Sequence, residues 1–195
     1  MKIRTATIIL SLLFICELIY FTINKGSVPL IDAPFSTLGN IEGNYLVFLF
    51  GTGIILIGFI LLVHKMYVLT RTKIGWEIYV FPAIVIITLI VPYNKEQVPS
   101  RVIHTALGII SSIILLWIIV KFNRNYYSEN KSIKKFSESV PYLMFFGTLI
   151  LFLLLGLNVF MELFFVFLLL LWLNLINFNL EKESEHRTGK TSQNR

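Results

Sequence analysis

From Pro141 to Phe178 the chain carries one charged residue, Glu162, in an otherwise almost wholly apolar run. As a single helix this stretch would be about 57 Å long, nearly twice the roughly 30 Å of a bilayer's hydrocarbon core. Gly156 and Asn158 fall near its middle, so the run is expected to fold as a tight hairpin of two spans, 141–157 and 159–178. Pro141 would open the first of these, where its missing N–H costs nothing. Four further apolar windows, at 5–23, 45–64, 77–92 and 102–120, bring the count to six.

The expected fold class is therefore all-α: a polytopic integral membrane protein with six transmembrane helices. It forms one domain over residues 1–180, followed by a short charged cytoplasmic tail, 181–195. Composition agrees. With 56% hydrophobic residues, 14% charged residues and 17 Phe, a soluble domain of this length would leave too much apolar surface in water. A nucleic-acid module, a secreted disulfide scaffold and a disordered chain are excluded on the same grounds. β-Branched runs such as 84–91 do not indicate strands, because an open sheet edge does not survive in lipid. Cys16, the lone cysteine, reads as a small buried hydrophobe.

Charge gives the spans a direction. Fourteen of the 17 Lys and Arg residues fall before the first span, after the second, after the fourth or in the tail; Lys25, Lys95 and Arg101 fall on the other side. The positive-inside rule then places both termini in the cytoplasm of a multi-pass cell-membrane protein. The first span has a basic start but no small-residue cleavage pattern after it, so it is expected to be retained as an anchor.

The polar minority gathers on the predicted outer side. Asp32, Ser36, Asn44 and Glu42 lie in the first loop, and Arg101 and His104 sit three residues apart at the start of the fourth span, with Ser100 as a candidate N-cap. Glu17 falls in the outer half of the first span and Glu162 near the outer end of the sixth; intramembrane carboxylates need neutralisation, water or a partner. Glu77, at the inner side, is expected to rest on interfacial water, Arg71 or Lys73. These residues define a candidate headgroup site of Glu17, Ser36, Asn44, Arg101, His104 and Glu162. Its leading use is to bind or organise membrane lipid without chemistry.

An enzyme acting on a lipid or lipid-linked substrate is the alternative. His104 would then be the general acid or base, Arg101 would stabilise a phosphate or oxyanion, and Asp32 or Glu42 would orient the imidazole. A small-solute or ion transporter is a third reading, with weaker support because the charges trace no continuous path across the spans. His64, His104 and His186 are scattered, and no H-E-x-x-H or C-x-x-C is present, so no metal or other cofactor is expected. Apolar helix exteriors leave a homo-oligomer or a membrane-protein partner open.

Three segments carry a resemblance: APFSTLGNIEGN before the second span, FP at 81–82, and VPYNKEQVPSRVIHTA from 91 to 106. They resemble a prokaryotic six-helix membrane family of unknown function related to the Frag/DRAM/Sfk superfamily. That family places an S-x-L-G-like feature after its first span and a histidine at the start of its fourth. Ser36, Leu38, Gly39, Asn44, Pro92 and His104 would occupy those features. The resemblance implies six helices and a shared outer-face feature, and some eukaryotic relatives of the superfamily are similar to proteins of lipid remodelling or membrane lipid organisation. FSTLG departs from the more acidic ISDLG-like form of the family.

Overall fold

A computed structural model describes residues 2–24, 34–39, 41, 43–91, 93–94, 96–126 and 130–193, with side chains through Glu183. Asp32, Glu42, Pro92 and Lys95 lie outside the described residues. The chain forms α1 (Ile3–Ile23), the short α2 (Phe35–Gly39), α3 (Tyr45–Leu69), α4 (Glu77–Ile90), α5 (Val98–Asn125), α6 (Lys131–Leu155) and α7 (Val159–Gln193). Five of these are long and apolar enough to cross a membrane. At 14 residues, α4 is only about 21 Å long, a borderline sixth span. The protein is all-α and polytopic.

The long helices form a closed ring. Each packs on the next in the order α1, α3, α4, α5, α6, α7, and α7 returns to α1, while α2 caps α3. Their outer faces expose large apolar side chains, among them Leu61, Leu153 and Leu154, and Cys16 is exposed with them rather than buried as expected. This outward display of hydrophobic surface is the reverse of a soluble bundle and suits a lipid surround.

Several helix boundaries depart from the sequence expectation. α6 starts at Lys131 and places Pro141 in its interior, because Asn130 is a strong N-cap: its Oδ1 accepts from the Ser132 and Ile133 amides at 3.1 and 3.3 Å. α5 starts at Val98 with Pro99 in its first turn, so Ser100 is a helical residue and not the cap. α7 continues to Gln193, so no helix end separates the span from the charged tail. The hairpin division is as expected. Gly156 adopts φ +72°, a conformation suited to glycine, and Asn158 Oδ1 accepts from the Met161 amide at 2.9 Å to begin α7. α3 ends in a Schellman motif, with Arg71 at φ 54° and Thr72 N–H reaching the Tyr67 carbonyl at 2.9 Å.

The larger core lies toward the end of the ring that holds the N-terminus of α1, and its centre is polar. Trp172, fully buried on α7, donates its indole N–H to Ser137 Oγ of α6 at 2.9 Å and to Asn123 Oδ1 of α5 at 3.2 Å. Ser137 also hydrogen-bonds Asn123 Oδ1, and Asn123 Nδ2 donates to the Ser137 carbonyl at 2.6 Å. In a regular helix that carbonyl would accept from the amide of residue 141, which is proline. Asn123 therefore supplies the donor that Pro141 lacks, which is how a mid-helix proline is tolerated in a dry interior.

Two further clasps complete this end. Glu77, 1% exposed, pairs with Lys121 of α5 instead of Arg71 or Lys73. On the α7–α1 seam, Asn177 Nδ2 donates to Thr7 Oγ1 and Asn174 Nδ2 to Ser11 Oγ, both at 2.9 Å. Thr7 and Ser11 are four apart on α1, and Asn174 and Asn177 are three apart on α7, so each pair falls on one helix face.

Asn123→Ala should destabilise the protein by about 2 kcal/mol, since it strands the buried Ser137 carbonyl and leaves the Trp172 indole N–H with Ser137 Oγ alone. Pro141→Ala made in the Asn123→Ala background should recover part of that loss by restoring the helical donor, while costing stability or changing nothing on its own. Unfolding in mixed micelles read by tryptophan fluorescence gives the cycle; strictly additive effects would separate Asn123 from Pro141.

Candidate functional site

At the opposite end, α2 is pressed onto the ring by a small aromatic core. Phe21 and Leu38 are fully buried, and Phe21 meets the Phe35 and Phe48 rings edge-on at 5.4 and 5.8 Å. A Cβ at Gly39 would fall within the Phe48 ring, so the S-x-L-G feature has a packing logic: Leu38 fills the core and Gly39 lets Phe48 approach. Ser36 is buried beside them.

Two other candidate residues hold the same plug. Asn44 donates through Nδ2 to the carbonyls of Asn24 and Leu38 at 3.0 and 3.2 Å, and its Oδ1 accepts from Tyr20 at 3.4 Å. Glu162, in the first turn of α7, accepts from the Phe35 amide at the start of α2, where a carboxylate also complements the helix N-terminus. Ser36, Asn44 and Glu162 are thus brought together, around α2.

His104 is buried on α5 and meets the α4–α5 connection. The Val91 carbonyl accepts from its Nδ1 at 2.6 Å; a carbonyl oxygen has no proton to give, so Nδ1 carries the hydrogen in this contact. Tyr93 stands edge-on to the imidazole at 5.7 Å. A backbone carbonyl thus orients the ring at Nδ1, the task assigned from sequence to Asp32 or Glu42, both outside the described residues.

Arg101 projects elsewhere. It lines an open groove of about 430 Å³ with Tyr93, Val102, Thr105, Ala106 and Leu157, on the outer side of α5 facing the α6–α7 turn. His104 is not part of its wall. Glu17 occupies a third place, a half-open cavity of about 240 Å³ reached by α1, α3, α4, α5 and α7, where its Oε1 accepts from the Thr52 hydroxyl at 2.7 Å. The candidate residues therefore divide among the α2 plug, the α4–α5 connection, the Arg101 groove and the Glu17 cavity. No family model, curated protein or solved structure matches this chain.

Among the polar residues that sequence reasoning passed over are Thr52, Ser111 and Ser112 at the Glu17 cavity, Asn123 and Ser137 in the large core, and Thr7 and Ser11 on the α1–α7 seam. Small polar residues inside apolar windows are the available signal, because such groups seek partners across helices.

Gly39→Ala should destabilise the fold by about 1–3 kcal/mol through overpacking against Phe48. Phe48→Leu in that background should relieve part of the loss. Thermal unfolding of the purified variants checks this, and a neutral Gly39→Ala would show that α2 is not packed as described.

Proposed function

We propose that the protein is a lipid-binding integral membrane protein that seats an anionic phospholipid in the groove between α5 and the α6–α7 turn. The groove itself carries this reading: one cationic residue, Arg101, heads a channel whose walls are otherwise apolar or small, with Ala106 and Thr105 opening space beneath it. A guanidinium at the start of a membrane helix is suited to a phosphate in bidentate geometry. The exposed Val102 and Ile109 continue the stripe along α5 where an acyl chain would lie.

The basic residues support an orientation with both termini cytoplasmic and Arg101 at the outer leaflet. The Ser36–Gly39 segment and His104 resemble features of a Frag/DRAM/Sfk-related family of unknown function, some of whose eukaryotic relatives are similar to proteins of membrane lipid organisation. In this reading α2 and the His104 contact hold the loops that frame the groove, and lipid is held without a chemical step.

Native mass spectrometry of protein equilibrated with phosphatidylglycerol or phosphatidylcholine tests the proposal. Wild type should retain phosphatidylglycerol preferentially. Arg101→Ala should lower its retention by about tenfold, the worth of one charge-assisted contact, and Ala106→Phe should lower retention of both lipids by filling the groove. Equal phosphatidylglycerol retention in wild type and both variants would overturn the assignment.

A further inference from the structure

The Glu17 cavity lies inside the ring, away from the Arg101 groove, and its polar lining is one-sided. Four polar side chains reach it: Glu17, Thr52, Ser111 and Ser112. The Thr52 hydroxyl hydrogen is committed to Glu17 Oε1 at 2.7 Å. Those of Ser111 and Ser112 are committed to the Gly108 carbonyl at 2.8 and 2.9 Å, the intrahelical bond typical of serine in an apolar helix. What remains directed to the space is the Glu17 carboxyl group and hydroxyl lone pairs, acceptors throughout when Glu17 is ionised. No Lys, Arg or His lines the cavity among the described residues. The rest of the wall is aliphatic and aromatic, Phe59 and Phe81 meeting edge-on at 5.8 Å.

The geometry points to a second binding site that takes a small lipophilic ammonium ion, its charged nitrogen on Glu17 and its apolar body against the Phe59 and Phe81 side. An ammonium supplies both things the site lacks, a positive charge and several donors. A carboxylate in a low-dielectric interior gains more from such a pair than one in water. The space is sufficient: about 240 Å³ exceeds the roughly 150 Å³ of an apolar cavity that holds benzene. A hydrated inorganic cation fits poorly, because the mostly apolar wall cannot replace its water oxygens.

A route from the bilayer is consistent with the α1–α7 seam. Among the described residues, the polar contacts of that seam run from Lys2–Glu181 to Ser11–Asn174. Past them, Phe14 of α1 and Phe165 and Val166 of α7 border the cavity without a hydrogen bond between the two helices. An amphiphilic amine partitioned in the bilayer would meet the site between these side chains.

The test uses full-length protein in nanodiscs with 2-phenylethylamine as the probe and propylbenzene as its uncharged counterpart, binding being followed by ligand-detected NMR. Wild type should bind the amine more tightly than propylbenzene. Glu17→Gln keeps the acceptor for Thr52 and removes the charge; it should weaken amine binding by about tenfold or more, the worth of a charge-assisted hydrogen bond, and leave propylbenzene nearly unchanged. Ile55→Phe, which fills the cavity and retains the carboxyl group, should abolish both. If Glu17→Gln does not fold, loss of amine binding in Ile55→Phe together with preference for the amine in wild type supports the site. Unchanged amine binding in a folded Glu17→Gln or Ile55→Phe protein, absence of amine binding to wild type, or equal displacement by sodium chloride and by the amine hydrochloride would overturn it.

Discussion

Most polar side chains described inside this ring take their partners from the protein, because hydrocarbon offers none. That requirement explains why so few polar side chains fix so much. Asn123 joins α5 to α6 and α7 in one cluster, accepting from Trp172 and donating to the carbonyl that Pro141 leaves without its helical donor. Asn174 and Asn177 close α7 onto α1, and Glu77 with Lys121 joins α4 to α5. Apolar packing alone discriminates weakly between helix neighbours in lipid, where tails are as apolar as leucine. Hydrogen bonds with fixed geometry supply the missing specificity.

These clasps concentrate toward one end of the ring, and the opposite end is organised differently. There the Phe21, Phe35 and Phe48 rings close around Leu38, and Glu162 and Asn44 hold the short helix α2 through its backbone. Between the two cores the helices leave the Glu17 cavity, and beside them α5 leaves the Arg101 groove. The two spaces differ in chemistry, cationic at the groove and acceptor-lined at the cavity, and the two proposed ligands differ in charge accordingly.

Much of the architecture was legible in the chain. The 141–178 run is too long for one span, and Gly156 and Asn158 divide it where hydropathy and turn chemistry agree. The start of α6 was not legible in the same way, because Pro141 resembles a helix opener until its lost donor is seen replaced by Asn123, a residue eighteen positions earlier by sequence number. Glu77 was placed by its loop neighbours Arg71 and Lys73, whereas its partner Lys121 is a helix away. The candidate residues were found by chemistry, but one sequence cannot fix helix rotation: Arg101 and His104, three apart on α5, serve different surroundings. Cys16 shows the same ambiguity, an apolar position that faces outward.

The closed ring, with α7 returned to α1, is the arrangement on which the Glu17 cavity depends. Cysteines placed at Thr7 and Asn177 in a Cys16→Ser background, oxidised in native membranes, measure that closure directly. The account predicts rapid formation of a disulfide within one chain, seen as a reducible mobility shift of the monomer. A cross-link formed only between chains, or none under conditions that cross-link other neighbouring helix pairs, would contradict it.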